Sequence, residues 1–268
     1  MSQRTGSRHR PDTPEARPGH RARRVALIVL AVVVAVVLIA AGVFYAWTRQ
    51  TFTATPASLA AVSADPAVAI SGDDDTVVLR PATTTPLDQG LVFVAGARVD
   101  PRAYEQTFAG LVATGVTVIV ERPTLGLGIA DNRPLSDFTS LVPDITNWAV
   151  GGHSLGGVRA CQYAKDDPRV DALVLLGSYC ATDVSARDDL AALSVGGSDD
   201  GLSTPQKIDD ARHLLPDDTT FVQVDGLSHA QFGHYGAQPG DGTPTLSDAD
   251  ATARITTELS SFFAGLAD

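Results

Sequence analysis

A serine hydroxyl is a weak nucleophile until a base takes its proton, and that base works best when a carboxylate holds it in one tautomer. Three stretches of this chain could supply those parts. NWAVGGHSLGG carries Ser154 between Gly152 and Gly156 in a GxSxG pattern, with an apolar run before it and a helix-like segment after it. Such a turn exposes the serine at the carboxyl edge of a sheet, and the flanking glycines relieve the tight strand-to-helix crossing. A glycine-rich helix cap with Ser154 as N-cap is the plainer reading of the same residues. Downstream, GGSDDGLS places Asp200 in a turn after one apolar run, and DGLSHAQFG places His229 just past the next. The chain order Ser, acid, His suits a nucleophile elbow with its partners on successive strand ends. Asp199 and Asp183 compete with Asp200 for the acid role, and each could be an ordinary turn residue. His234, in GHYG, rivals His229. His153 occupies the variable position of the elbow and is expected to point away from the serine, His213 reads as an exposed helix position, and His9 and His20 fall in the N-terminal arm. His229 and His234 lack a third ligand at helpful spacing, so they make a poor metal site.

Charge developing on a carbonyl oxygen needs two backbone amides aimed at it. Leu155, directly after the serine, is expected to supply one. The loop after LVFVA reads GARVDP, and Ala97 is the candidate for the second, although Gly96-Ala97 could be only a small-residue turn.

The elements that must hold these residues follow from the apolar pattern. AVAIS and TVVLR flank a Gly-Asp turn and read as a hairpin. Apolar runs then recur at 91–95, 116–120, 147–151, 172–177, 190–195 and 220–224, separated by helix-length segments. Strands covered on both faces lose apolar/polar alternation, so this rhythm predicts an α/β fold with a mostly parallel, doubly wound sheet. Ala251, Ile255, Leu259, Phe262 and Phe263 mark an amphipathic closing helix over 247–266.

Residues 25–47 read VALIVLAVVVAVVLIAAGVFYAW, a charge-free stretch of about 23 residues, long enough to cross roughly 30 Å of hydrocarbon as one helix. A cleaved signal peptide is the competing reading, but the stretch exceeds the usual h-region. Seven Arg against Asp12 and Glu15 crowd its N-terminal side, and Asp65, Asp73, Asp74 and Asp75 follow it. The positive-inside rule therefore places the N-terminus in the cytoplasm and the body outside. Residues 1–24 are expected to be a disordered basic arm, 48–64 a stalk, and 65–268 the folded domain. The net charge of −11 leaves the body strongly acidic, which argues against a nucleic-acid partner. Cys161 and Cys180 permit one disulfide in an oxidising exterior.

With VAGARVDPRAY, GGHSLGG, GGSDDGL and SHAQFGHYG in hand, the chain resembles the α/β-hydrolase superfamily over roughly Val92 to Phe263, and more narrowly its small esterase-like branch related to dienelactone hydrolases. The resemblance implies a cofactor-free hydrolase without fixing its substrate; with Ser154, Asp200 and His229 in place, hydrolysis of a carboxylic ester through an acyl-serine intermediate is the leading expectation. Dienelactone hydrolases proper use a cysteine where this chain has Ser154, so their substrate does not carry over. Only about a dozen residues, 178–189, separate the fourth and fifth main runs, too few for a helical lid. An open site suits a small-molecule or lipid-like ester, with Tyr104, Phe138, Tyr179, Phe232 and Tyr235 as candidate pocket residues. Acyl transfer to an envelope acceptor, or a catalytically silent tethered binding domain, are the alternatives.

Overall fold

Consecutive apolar residues become interior strands when helices cover both faces of a sheet, and this happens here for the strands between Gln89 and Gly197. The computed structural model describes residues 19–266. Among these, one sheet is built from eight strands: β1 (Val68–Gly72), β2 (Thr76–Pro81), β3 (Gln89–Val94), β4 (Thr117–Glu121), β5 (Asn147–His153), β6 (Val170–Leu176), β7 (Ala191–Gly197) and β8 (Thr220–Val224). Their order is β1-β2-β4-β3-β5-β6-β7-β8. β1 and β2 form the expected hairpin, β2 meets β4 antiparallel, and every other pairing is parallel. The six apolar runs are β3 to β8 in turn, but β8 is an edge strand paired only with β7 and stays partly exposed.

The helices are α1 (His20–Thr48), α2 (Pro56–Ser63), α3 (Glu105–Ala113), the single turn α4 (Ser136–Thr139), α5 (Leu155–Asp166), α6 (Pro205–Asp210) and α7 (Asp248–Gly265). Alternate strand residues point to opposite faces, and two cores result. Leu91, Phe93, Val118, Val174 and Leu193 pack with Phe108 and Leu111 of α3 and with Ile255 and Leu259 of α7. Val92, Ile119, Val150 and Leu173 pack with Ala160 and Ala164 of α5 and with Phe138 of α4. A disulfide joins Cys161 to Cys180, with Cα atoms 5.7 Å apart, and ties α5 to the segment after β6. That segment contains only turns and bends up to β7, so no helical lid interrupts it.

Among the described residues, those up to Ala46 form one unit and those from Trp47 to Leu266 another. α1 runs for 29 residues with a mean hydropathy of 3.3 in its most apolar window, and its side chains are exposed over that window. It begins at His20, so His20, Arg21, Arg23 and Arg24 are helical rather than part of a disordered arm; the arm up to residue 18, His9 included, lies outside the described residues. The expected stalk also differs. Thr55 caps α2 by accepting from the Ser58 N–H, Pro56 fits its first turn, and Val62 is buried against the α3 side of the core. Phe52 pairs with Val99 in an isolated parallel bridge. The segment after α1 is thus bound to the domain, because its few apolar side chains find partners that are distant in sequence.

Candidate active site

The elbow sits where β5 gives way to α5. Ser154 adopts φ 55° and ψ −126°, a conformation rarely taken by a residue with a Cβ. The crossing demands minimal side chains: a Cβ on Gly152 would lie 2.2 Å from the Gly156 carbonyl carbon, and one on Gly156 would lie 2.1 Å from the Val94 oxygen. The Ser154 N–H donates to Leu176 O at 3.3 Å, and Ser178 Oγ donates to Ser154 O at 2.6 Å, fixing the turn against the end of β6. Ser154 and Leu155 are both half-buried.

Asp200 follows β7 and His229 follows β8, and the two meet in the interior: Asp200 Oδ2 lies 2.8 Å from His229 Nδ1, with the residues 3% and 1% exposed. The second oxygen of Asp200 accepts from the N–H groups of Leu202 (2.8 Å) and Ser203 (2.6 Å), so the carboxylate is held from both sides. Its rivals lie elsewhere. Asp199 accepts from the N–H and hydroxyl of Thr245, and Asp183 is an exposed turn residue bonded to Ser185. His234 faces Thr252 Oγ1 at 3.2 Å, and exposed His213 faces the Asp210 carbonyl at 2.9 Å.

The histidine loop is set by two devices. Ser228 and Gln231 form a capping box around the 3-10 turn His229–Phe232, a signal legible as S-x-x-Q in SHAQ. Asp241 then clamps the acid and histidine loops together. Its Oδ1 accepts from the N–H groups of His229 (3.0 Å) and Gly201 (3.2 Å), and its Oδ2 from that of Ala230 (2.8 Å). An aspartate in the turn-rich stretch GDGTP has no local mark of that role.

His153 is wholly buried beneath these loops, its ring centroid 4.4 Å from that of His229. The Gly96 N–H donates to Tyr104 Oη at 2.9 Å, so the Tyr104 hydroxyl is free to donate to His153 Nδ1, also at 2.9 Å. Burial, and next the charge of His229, holds the His153 pKa well below the ordinary imidazole value, so the ring stays neutral. His153 Nε2 finds no partner among the described residues. A chain therefore runs from the loop after β3 through Tyr104 and His153 to the ring of His229. Ser154 Oγ itself forms no hydrogen bond among the described residues, as is common before a substrate draws catalytic groups together.

Among the described residues no protein acceptor takes up the N–H of Leu155 or of Ala97. The neighbouring Arg98 is at φ 58° and donates its N–H to Gly126 O at 2.7 Å. Of the aromatic residues expected to line a pocket, Phe138 belongs to the core on the α5 face, under the Arg133 guanidinium. Tyr104, Phe232 and Tyr235 are buried around His153. Tyr179 alone is half-exposed.

A parallel sheet with one antiparallel edge, a strained serine between β5 and α5, and an acid–histidine pair after β7 and β8 define a class that comparison bears out. Residues 90–253 match the profile described as the Alpha/beta hydrolase family. The chain belongs to that family. A search of curated protein sequences finds no match. Among solved structures, the chain is similar to a membrane phospholipase A described as a bacterial virulence factor (TM-score 0.53, 12% identity, 92% of this chain and 99% of that one). It is also similar to the esterase domain of a Rhodothermus marinus protein (TM-score 0.54, 16% identity, 73% and 97%). A dienelactone hydrolase-like promiscuous phosphotriesterase from metagenomic libraries gives a TM-score of 0.50 at 14% identity, over 73% and 99%. At these identities the likeness is one of fold.

Proposed function

We propose that the chain is a membrane-anchored serine hydrolase that cleaves a carboxylic ester through an acyl-Ser154 intermediate. The observation that carries the reading is the buried 2.8 Å contact between Asp200 and His229. With Nδ1–H donating to the carboxylate, Nε2 is left as the basic nitrogen of the ring. Ser154 Oγ attacks the ester carbonyl carbon while its proton passes to His229 Nε2, and the carbonyl oxygen takes up the negative charge. The N–H groups of Leu155 and Ala97 donate to that oxyanion. Collapse breaks the bond to the alkoxide, which leaves as an alcohol with the proton from His229. Water, deprotonated by the same ring, then releases the acid and restores Ser154.

The length and hydropathy of α1 support a single-pass anchor, and the arginines before it favour a cytoplasmic N-terminus with the domain outside the cytoplasm. The Cys161–Cys180 disulfide fits an oxidising compartment. A fluorophosphonate probe tests the chemistry. It should label the wild type and fail on Ser154→Ala and His229→Ala. Equal labelling of Ser154→Ala, or none of the wild type, would remove the reading.

A further inference from the structure

The segment that leaves α1 is built into the face that carries the site. The Phe52 N–H donates to Arg98 O at 2.7 Å, and the Asp100 N–H donates to Phe52 O at 3.0 Å. The Arg98 guanidinium lies 4.2 Å over the Trp47 ring and 5.2 Å from the Phe52 ring, and its Nη1 donates to the carbonyls of Trp47 (3.4 Å) and Gln50 (3.3 Å). The same segment reaches the histidine loop, where the Thr55 N–H donates to His234 O at 2.8 Å.

Beside Arg98 runs the loop over 124–130. The Arg98 N–H is bonded to Gly126 O, and Gly128 abuts the elbow so closely that a Cβ there would lie 2.4 Å from Leu155 O. Asp131 closes the loop by accepting from the Thr124 N–H at 3.1 Å. Between these fixed points the loop turns two large aliphatic side chains outward: Leu125, at φ 57° and 42% exposed, and Ile129, 65% exposed.

Resting on the reading of an anchored ester hydrolase, we propose that Leu125 and Ile129 form an apolar lip that dips into the lipid–water boundary, and that the substrate is an amphiphilic acyl ester held in that leaflet. What commits the lip to a membrane is its link to Trp47. That residue ends the apolar run of α1, and tryptophan at the end of a spanning helix favours the headgroup level. Trp47 touches Arg98, Arg98 is bonded to Gly126, and Gly126 adjoins Leu125, so the lip stands a few contacts from the boundary. The loop carrying the lip also touches both amide donors' neighbourhoods, Arg98 after Ala97 and the carbonyl of Leu155. An ester group at the headgroup level can therefore enter the site while its acyl chain remains in lipid.

The experiment uses the full chain reconstituted in vesicles of diether phosphatidylcholine, which contain no competing carboxylic ester. The probes are 4-methylumbelliferyl oleate in the bilayer and 4-methylumbelliferyl acetate in the water. The double variant Leu125→Asn, Ile129→Ser should keep its kcat/KM on the acetate within about twofold and lose about tenfold or more on the oleate. Asparagine suits the left-handed backbone at 125. Equal rates on the oleate, or both esters falling together, overturn the proposal. A second readout is independent of catalysis. Both native cysteines are bridged, so Ile129→Cys offers one thiol for an environment-sensitive fluorophore. Quenching by a shallow lipid nitroxide is the expected result; quenching only by an aqueous nickel chelate overturns the lip and leaves that face to a protein partner. Loss of acetate turnover and of fluorophosphonate labelling in the wild type would instead signal failure of the hydrolase reading.

Discussion

Ser154 holds its conformation, φ 55°, because the strand before it and the helix after it leave no other path. Strain of this kind is worth about 1–3 kcal/mol and persists only when the surroundings over-determine it. The surroundings here include Tyr104, whose hydroxyl satisfies both the Gly96 N–H and His153 Nδ1. Tyr104→Phe leaves those two buried groups unpaired, and it should lower unfolding stability by about 1–3 kcal/mol in a denaturant titration. Because Gly96 precedes Ala97, the same variant should reduce kcat by about tenfold with little change in KM. An unchanged kcat would show that Tyr104 serves packing alone. GxSxG and the downstream Asp200 and His229 are visible in the sequence because the proposed chemistry would constrain their types and their order. The role of His153 is not, since it occupies the position that the motif leaves open, and its contacts to Tyr104 and His229 are long-range. Asp241 is hidden for the same reason.

At the scale of elements, the strands are legible because burial on both faces removes alternation, and runs such as LVFVA and VTVIV stand out in any window. The segment over 49–64 is not: ATPASLAAVSA has small residues and little periodicity, and its packing depends on Val62 and Phe52 finding distant partners. The disulfide makes a separate prediction. It closes a loop of 19 residues' separation, for which chain entropy gives about 3 kcal/mol. Cys161→Ala with Cys180→Ala should lower the unfolding free energy by about that much while ester turnover at 25 °C is retained; an unaltered denaturation midpoint would contradict this. Another element-scale effect comes from Glu121 at the end of β4. Burial pushes its pKa up to about 8, with the nearby Arg133 pulling the other way, and Oε1 has no hydrogen-bond partner among the described residues. The folded chain thus keeps a proton that the unfolded chain releases above its ordinary carboxyl range. The contribution to stability is full at low pH and fades as pH rises toward 8. The difference in Tm between Glu121→Gln and the wild type should therefore move in favour of the variant from pH 5 to pH 8, as read by thermal melts. Parallel curves would mean that Glu121 stays ionised throughout.

For the molecule as a whole, the sequence separates a long apolar helix from an acidic domain, and the structure adds that the connecting segment is fastened to the loops around the candidate site. Under the proposed reading such an arrangement would couple anchoring to chemistry, since the Phe52 N–H donates to the carbonyl of Arg98, one residue from Ala97. The central claim is that Ser154 carries the acyl group. The measurement is mass spectrometry of peptides from the full chain, acid-quenched during turnover of a chromogenic acyl ester. The account predicts an acyl adduct on the peptide containing Ser154, absent from Ser154→Ala and from His229→Ala. An adduct on another residue, or undiminished turnover by Ser154→Ala, would contradict it.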